Sequence, residues 1–410
     1  MRAALVVTGT EVLEGRVRDE NGAMVAASLA GAGVEVHRIT VVGDGLDDIR
    51  QAVAAAVADG MDLVVTTGGL GPTHDDRTME AVAMAAGVPL HLDEDALDMV
   101  RAAIATVPAR ASDEVRERGA QKQAMVPHGA VALPPPGTAP GAVLVTGTAV
   151  IVVLPGPPWE CAASWHSASL VPEVAAILDS GAGGPVELRL ANVVESEFMQ
   201  AIDRADPEGQ GLVVGVCARP GELEVTVRPQ GPGADAFVAF LDGEFPGAIF
   251  SRDGATVEDV IAARLIALRQ ALATAESCTG GLIGARLTSR PGASAWYAGG
   301  VVSYADSVKE QALGVAPSMI TQHGAVSAEV AEAMAAGVQQ RLGCDWAIAV
   351  TGVAGPDGGT PTKPVGLVFV AIAGPGGIDV RELRLHGDRE RIRMRAATIA
   401  LHLLRVALNA

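Results

Sequence analysis

Three short runs in the last third of the chain set small polar residues beside glycine. They are Glu276-Ser277-Cys278-Thr279-Gly280-Gly281, then Pro291-Gly292-Ala293-Ser294 with Ser303-Tyr304 and Lys309 beyond it, and Thr351-Gly352-Val353-Ala354-Gly355-Pro356. Amide hydrolysis is one chemistry open to them. It needs a nucleophile, a base for its proton and donors for the tetrahedral oxyanion. A serine and a lysine supply the first two without histidine when burial leaves the lysine neutral. Lys309 stands out because Lys122, Lys309 and Lys363 are the only lysines in an arginine-rich chain. Against this, a solvated surface lysine is the commoner fate of the residue type. Gly280 and Gly281 let backbone approach a ligand, and the helix after them offers N–H groups to a phosphate or oxyanion. Cys278 has no histidine near it in sequence and reads as a small buried residue.

A second set lies near the front. Thr8-Gly9-Thr10-Glu11 follows one apolar run, and Gly68-Gly69-Leu70-Gly71-Pro72-Thr73-His74-Asp75-Asp76 follows another and precedes a helical stretch. Gly68, Gly69 and Gly71 permit close approach of phosphate, which a helix N-terminus attracts. Asp75 and Asp76 could hold a divalent metal bridging phosphate oxygens, or could cap the helix. Spacing leaves both readings standing. His74 reads equally as a ligand contact or a solvated loop residue.

These residues need a scaffold that gathers strand ends. Leu5–Thr8, Val34–Val42, Asp62–Thr67 and Val150–Leu154 read as buried strands, with helices over Asn21–Leu29, Leu46–Ala58 and Asp76–Ala86. That is βαβ spacing, hence an α/β fold with an open doubly wound sheet. Residues 171–253 read as a small α+β connecting domain, with strands over Val186–Val193 and Gly221–Val227 and helices over Glu197–Ala205 and Asp235–Leu241. From Gly254 a further α/β unit begins, with strands over Ala271–Ala275, Trp296–Tyr304, Trp346–Thr351, Val365–Ile372 and Val380–Leu385. Its helices are expected over Val257–Arg269, Leu282–Leu287, Ser327–Leu342 (with Ser327 as N-cap) and Asp388–Leu408. In such sheets ligands collect where loops converge at the carboxyl ends of strands. Expected domains are therefore 1–170, 171–253 and 254–410. The stretches 133–141 and 181–185, rich in Ala, Pro and Gly, read as loops.

Composition sets outer bounds. Apolar residues make up 49% and aromatics 3%, so the core packs Ala, Val and Gly, as Val-rich strands between Ala-rich helices do. The formal net charge of -18 repels nucleic-acid backbones, yet local arginines can still bind small anions. Cys161, Cys217, Cys278 and Cys344 form no C-x-x-C pair, which suits a reduced, cytoplasmic setting. The start of the chain reads as a strand, not a signal peptide, and apolar runs stop before about 18 residues, so no membrane span is expected.

The C-terminal residues resemble a known family. The run Thr274 to Gly281, Pro291-Gly292-Ala293-Ser294, Tyr304 with Lys309, His323-Gly324-Ala325-Val326-Ser327, Thr351 to Pro356, Lys363-Pro364-Val365-Gly366 and Gly387-Asp388-Arg389 are similar to the C-terminal domain of the competence/damage-inducible protein A (CinA) family. The resemblance implies a deamidase converting nicotinamide mononucleotide and water to nicotinic acid mononucleotide and ammonia, without a cofactor. It implies Ser294 as nucleophile and Lys309 as base acting with Ser277, the split between the two serines being open. Tyr304 would position, and Gly280, Gly281, Thr351, Gly352 and Arg389 would hold the substrate, Arg389 by a bidentate phosphate contact. Arg393, one turn later, is a weaker candidate. Ala293 stands where the family often has serine.

Residues 3–165 resemble the family's N-terminal domain, which is similar to the molybdopterin-binding fold. Glu11, Gly15, Asn21, Val42-Gly43-Asp44, Gly68 to Asp76, Lys122-Gln123-Ala124, Gly137 to Gly141 and Leu154 to Pro158 with Glu160 carry the likeness. It implies a metal-dependent pyrophosphatase acting on ADP-ribose-like dinucleotides. Glu11, Gly68, Gly69, Gly71 and Thr73 would form the ligand site, and Asp75 and Asp76 would hold a divalent metal. Pro134-Pro135-Pro136 departs from the family's asparagine there. The resemblance thus implies a bifunctional, homo-oligomeric enzyme of pyridine-nucleotide salvage with nucleotide substrates. Alternatives are a molybdopterin-type binding protein and a non-enzymatic competence or damage-response partner. The acidic balance argues against direct DNA contact.

Overall fold

The computed structural model describes residues 1–106, 112–147, 149–181 and 183–409. The loop expected over 181–185 lies outside the described residues at Ala182. The chain parts into two compact units, Met1–Pro185 and Val186–Ala410. Among the described residues, no helix is long and apolar enough to cross a membrane.

In the first unit the strands run in the order Glu35–Val42, Arg2–Thr8, Leu63–Thr67, Val150–Leu154, Ala142–Val145, Val131–Ala132. The first four are parallel and the last two antiparallel. Successive residues point to opposite faces of a strand. Leu5, Leu63, Val65 and Val152 therefore enter one core, and Val6, Val64, Ile151 and Val153 the other. Helices cover both faces, which is why these strands read as continuous apolar runs.

Several helices here had no clear sequence signal. Asp113–Gln123 is polar almost all round, so it lacks the apolar stripe by which a helix is recognised. Pro158–Ser169 and Pro172–Asp179 begin on prolines, which suit the first helical turn but also read as breakers. The helix expected from Asp76 begins at Thr78.

The second unit holds two sheets. Val213–Arg219, Glu222–Arg228, Val186–Ala191 and Ile249–Ser251 form an antiparallel sheet. Its core of Leu188, Phe198, Phe237 and Leu241 joins it to the helices Glu195–Ala205 and Pro232–Glu244. The larger sheet has the order Tyr297–Val302, Leu272–Glu276, Trp346–Gly352, Leu367–Gly374, Gly377–Arg384. Its first three strands are parallel and its last two antiparallel.

The two faces of this sheet differ in side-chain size. Leu272, Ile348, Val350, Val368 and Ile372 pack on Ile392, Leu401 and Leu404 of the helix Arg389–Ala407. Ala273, Ala275, Ala347, Ala349, Ala371 and Ala373 face the helix Ala328–Leu342, whose own contacts include Ala331 and Ala335. Ser327 caps that helix by accepting from Val330 N–H, as its type predicts. Asp388 likewise accepts from Arg391 N–H, so Arg389 and Arg393 sit in the first two turns of their helix.

Candidate active sites

A pocket of about 270 Å³ lies where the strands Leu272–Glu276 and Trp346–Gly352 end, with Ser277, Tyr304, Lys309, Thr351, Gly352 and Arg389 on its wall. These ends are neighbours because the two strands pair in parallel. Ser277 is anchored by its N–H, which donates to Val350 O at 2.9 Å. Lys309 is only 2% exposed, so the surface-lysine reading is overturned. Its Nζ donates to Ser303 O at 3.0 Å, Tyr304 O at 3.4 Å and an Asp306 carboxylate oxygen at 3.3 Å. That is how an ammonium group is held, with Asp306 half open to solvent as its counter-ion.

Arg389 closes one side. It donates to Gly355 O at 2.6 Å and to Tyr304 Oη at 2.7 Å, so the tyrosine at the mouth and the arginine position each other. Thr351 Oγ1 donates to Ala325 O at 2.8 Å, which commits that hydroxyl to the loop before helix Ala328–Leu342. Arg393 instead holds the turn by donating to Thr279 O at 2.8 Å.

Two expectations from the sequence need correction. The helix N-terminus after Gly280 and Gly281 does not present free N–H groups. The buried carboxylate of Glu276 accepts from Gly281 N at 3.1 Å, Ile283 N at 3.1 Å and Gly284 N at 2.8 Å. This internal anion fills the place offered to an oxyanion, and neither glycine lines the pocket. Glu276 was visible in the sequence, but only folding shows which donors it meets.

Nor does one chain bring Ser294 to Lys309. Ser294 is exposed in the turn Ala293–Ala295. Just after it, Trp296 O accepts from Leu272 N at the start of the neighbouring strand. Ser303 N reaches Glu276 O at that strand's far end. The strand Tyr297–Val302 thus separates Ser294 from Ser277 by the length of the sheet. Asp306, which the sequence reading did not single out, sits three residues before Lys309 on one helix face, a spacing that could have exposed it. Burial pushes the Cys278 thiol up to about 12, so it is an inert core residue at neutral pH.

In the first unit, a pocket of about 430 Å³ takes Glu11, Asp19, Asp44, Gly68, Gly69, Asp75 and Asp76 into its wall. Asp19 also went unnoticed in the sequence. Two of the glycines serve loop packing. A Cβ on Gly68 would stand 2.4 Å from Thr8 O, and one on Gly71 would stand 2.5 Å from Asp76 Oδ2. Gly71 itself does not line the pocket. Asp76 Oδ2 accepts from Thr73 N at 2.9 Å and lies 2.6 Å from Thr73 Oγ1, which also bonds Asp75. The helix Thr78–Ala86 has no side-chain cap, so the capping reading of the two aspartates falls away. The Thr73 hydroxyl chiefly holds Asp75 below the usual carboxylate range, with backbone, His74 and Lys122 adding to it. Among the described residues, no group of three or more His, Cys, Asp or Glu is placed to hold a metal.

Each of the two pockets lies within a stretch that resembles a known family. Residues 254–408 match the family described as CinA C-terminal domain, and residues 4–175 match the probable molybdopterin binding domain. The chain is 45% identical to a CinA-like protein of Mycobacterium marinum, covering 100% of this chain and 99% of that protein. It is 46% identical to a CinA-like protein of Mycolicibacterium vanbaalenii, again over 100% of this chain and 99% of the relative. A crystal structure of a competence/damage inducible protein from Agrobacterium tumefaciens is 41% identical and covers 38% of this chain and 96% of its own, with a TM-score of 0.36.

Proposed function

The chain belongs to the CinA family, and from that premise we propose that its C-terminal pocket hydrolyses the carboxamide of nicotinamide mononucleotide, releasing ammonia. The observation that carries this reading is a buried lysine in a pocket that also holds a serine hydroxyl and an arginine. Ser277 Oγ attacks the carboxamide carbon. Lys309, once it has passed a proton to solvent past Asp306, takes the serine proton and delivers it to the departing nitrogen. Water then opens the resulting ester and frees the acid. Arg389 meets the phosphate, and Tyr304 holds Arg389 in place. Ser294 has no part in this chain's own pocket on this reading. Ammonia release from nicotinamide mononucleotide by the purified chain, with and without added metal, tests it. Metal-independent release is expected; a folded protein that releases none refutes it.

A second activity is favoured by the carboxylates around Gly68 and Gly69 in the first unit. We infer a metal-dependent pyrophosphatase acting on ADP-ribose-type substrates. Asp75 and Asp76 do not make a protein-only cage, but they suit a hard cation that draws its other ligands from water and phosphates. When bound, such a cation would neutralise charge on the anhydride. Asp75 and Asp76 would hold it, and Gly69 and Glu11 would line the phosphate path. Metal-dependent release of AMP from ADP-ribose is the test, and its absence refutes the reading.

A further inference from the structure

The C-terminal pocket has two aspartates on its wall, Asp306 and Asp357. Asp306 is committed to Lys309. Asp357 is exposed and forms no hydrogen bond or ion pair among the described residues. Neither the attack on the carboxamide nor the proton transfers use it. A free carboxylate is ordinary on the surface of a chain of net charge -18. On the wall of a pocket that admits a phosphate it repels the substrate, unless another part of that substrate binds it.

The segment that carries Asp357 is held in place. Thr360 N donates to Lys363 O and Lys363 N to Thr360 Oγ1, each at 2.9 Å. Lys363 Nζ donates to His323 O at 2.5 Å, which ties the segment to the loop that supplies Ala325 and Val326 to the same pocket. Val365 packs on the glycines of the segment: a Cβ on Gly355 would stand 2.7 Å from its side chain, and one on Gly359 would stand 3.0 Å away. Gly355 O also accepts from Arg389. Asp357 therefore lies two residues from the anchor of the guanidinium that meets the phosphate.

That place selects what the carboxylate can bind. With the carboxamide at Ser277 and Lys309 and the phosphate at Arg389, the ribose lies between. A carboxylate only accepts hydrogen bonds, and the ribose hydroxyls are the donors still without a partner. Acidic side chains beyond strand ends hold ribose hydroxyls in dinucleotide-binding sheets in the same way. We propose that Asp357 accepts from the 2′- and 3′-hydroxyls of the substrate and makes the pocket selective for the ribonucleotide. The inference rests on the deamidase reading for the identity of its substrate.

Ammonia release from nicotinamide mononucleotide and from its 2′,3′-dideoxy analogue tests it in the native chain and in Asp357→Ala. Both substrates carry the same phosphate, so any change in repulsion cancels in the ratio of their kcat/KM values. The native chain should favour the ribonucleotide by about 10- to 100-fold, the loss expected for charge-assisted hydrogen bonds, and Asp357→Ala should bring the ratio near one. The change should lie mainly in KM, because the hydroxyls do not react. A native chain that handles both substrates alike overturns the proposal, and so does a variant that keeps the native ratio. Isothermal titration with nicotinic acid mononucleotide and its dideoxy analogue, which have no amide to lose, reads binding without turnover. Ammonia release whose substrate ratio ignores Asp357 refutes this assignment alone. Binding that needs both Asp357 and the hydroxyls, without any ammonia release, refutes the deamidase reading alone. Neither release nor binding refutes both.

Discussion

Glu276 offers the sharpest test of how the C-terminal pocket is built. Its carboxylate is 2% exposed and accepts three backbone N–H groups. In Glu276→Ala all three donors lose their acceptor. Ile283 N lies in a fully buried residue, so leaving it unpaired costs about 1–3 kcal/mol. Gly281 and Gly284 are partly buried and regain water, at a cost of about 1 kcal/mol each. The sum is about 3–5 kcal/mol, which for a unit of this size lowers the melting temperature by roughly 10 °C. Glu276→Gln keeps an oxygen acceptor but turns an amide N–H toward one donor, and should cost about half as much. Differential scanning calorimetry of the full chain reads both, following the transition of the second unit. Ammonia release should fall further than stability explains, because Ser277 follows Glu276 directly. A melting temperature within about 2 °C of native for Glu276→Ala would refute the argument, and the N–H groups would then be free for a ligand after all.

Other expectations concern the two sites. Lys309→Met should reduce ammonia release by about 10²–10⁴-fold, read in single-turnover assays, because it removes the proposed proton carrier. Ser277→Ala should abolish ammonia release in the same assay while Ser294→Ala leaves it near native; the reverse order would place the partner of Lys309 on another chain or in another conformation. Cys278 should resist iodoacetamide at pH 8, because burial holds its thiol near 12, whereas the exposed Cys217 should label; mass spectrometry of tryptic peptides distinguishes them. Asp76→Ala should lower metal-dependent ADP-ribose hydrolysis without changing deamidation, and unchanged hydrolysis would confine Asp76 to closing its loop on Thr73.

Much of this protein was legible before folding. The runs Leu46–Ala58 and Val150–Leu154 appear as elements at their expected bounds, because apolar periodicity and strand burial are local signals. The ordered motifs at Glu276–Gly281, Thr351–Pro356 and Gly387–Arg389 marked where polar residues and glycine meet strand ends. Scarcity singled out Lys309. Tertiary structure decided what those residues face. Two adjacent parallel strand ends place Ser277 beside the pocket of Lys309, and a single strand carries Ser294 to the opposite end of the sheet. The N–H groups after Gly281 looked available in sequence, but a side chain five residues earlier folds back to occupy them. Lys122 read as one residue of a matched motif, and only the fold shows that its Nζ is buried with no hydrogen-bond partner among the described residues and that its charge acts on Asp75. Local pattern fixes which segments become strands and helices. Which donors meet which acceptors depends on contacts between residues distant in the chain, and these form only when the sheet is assembled.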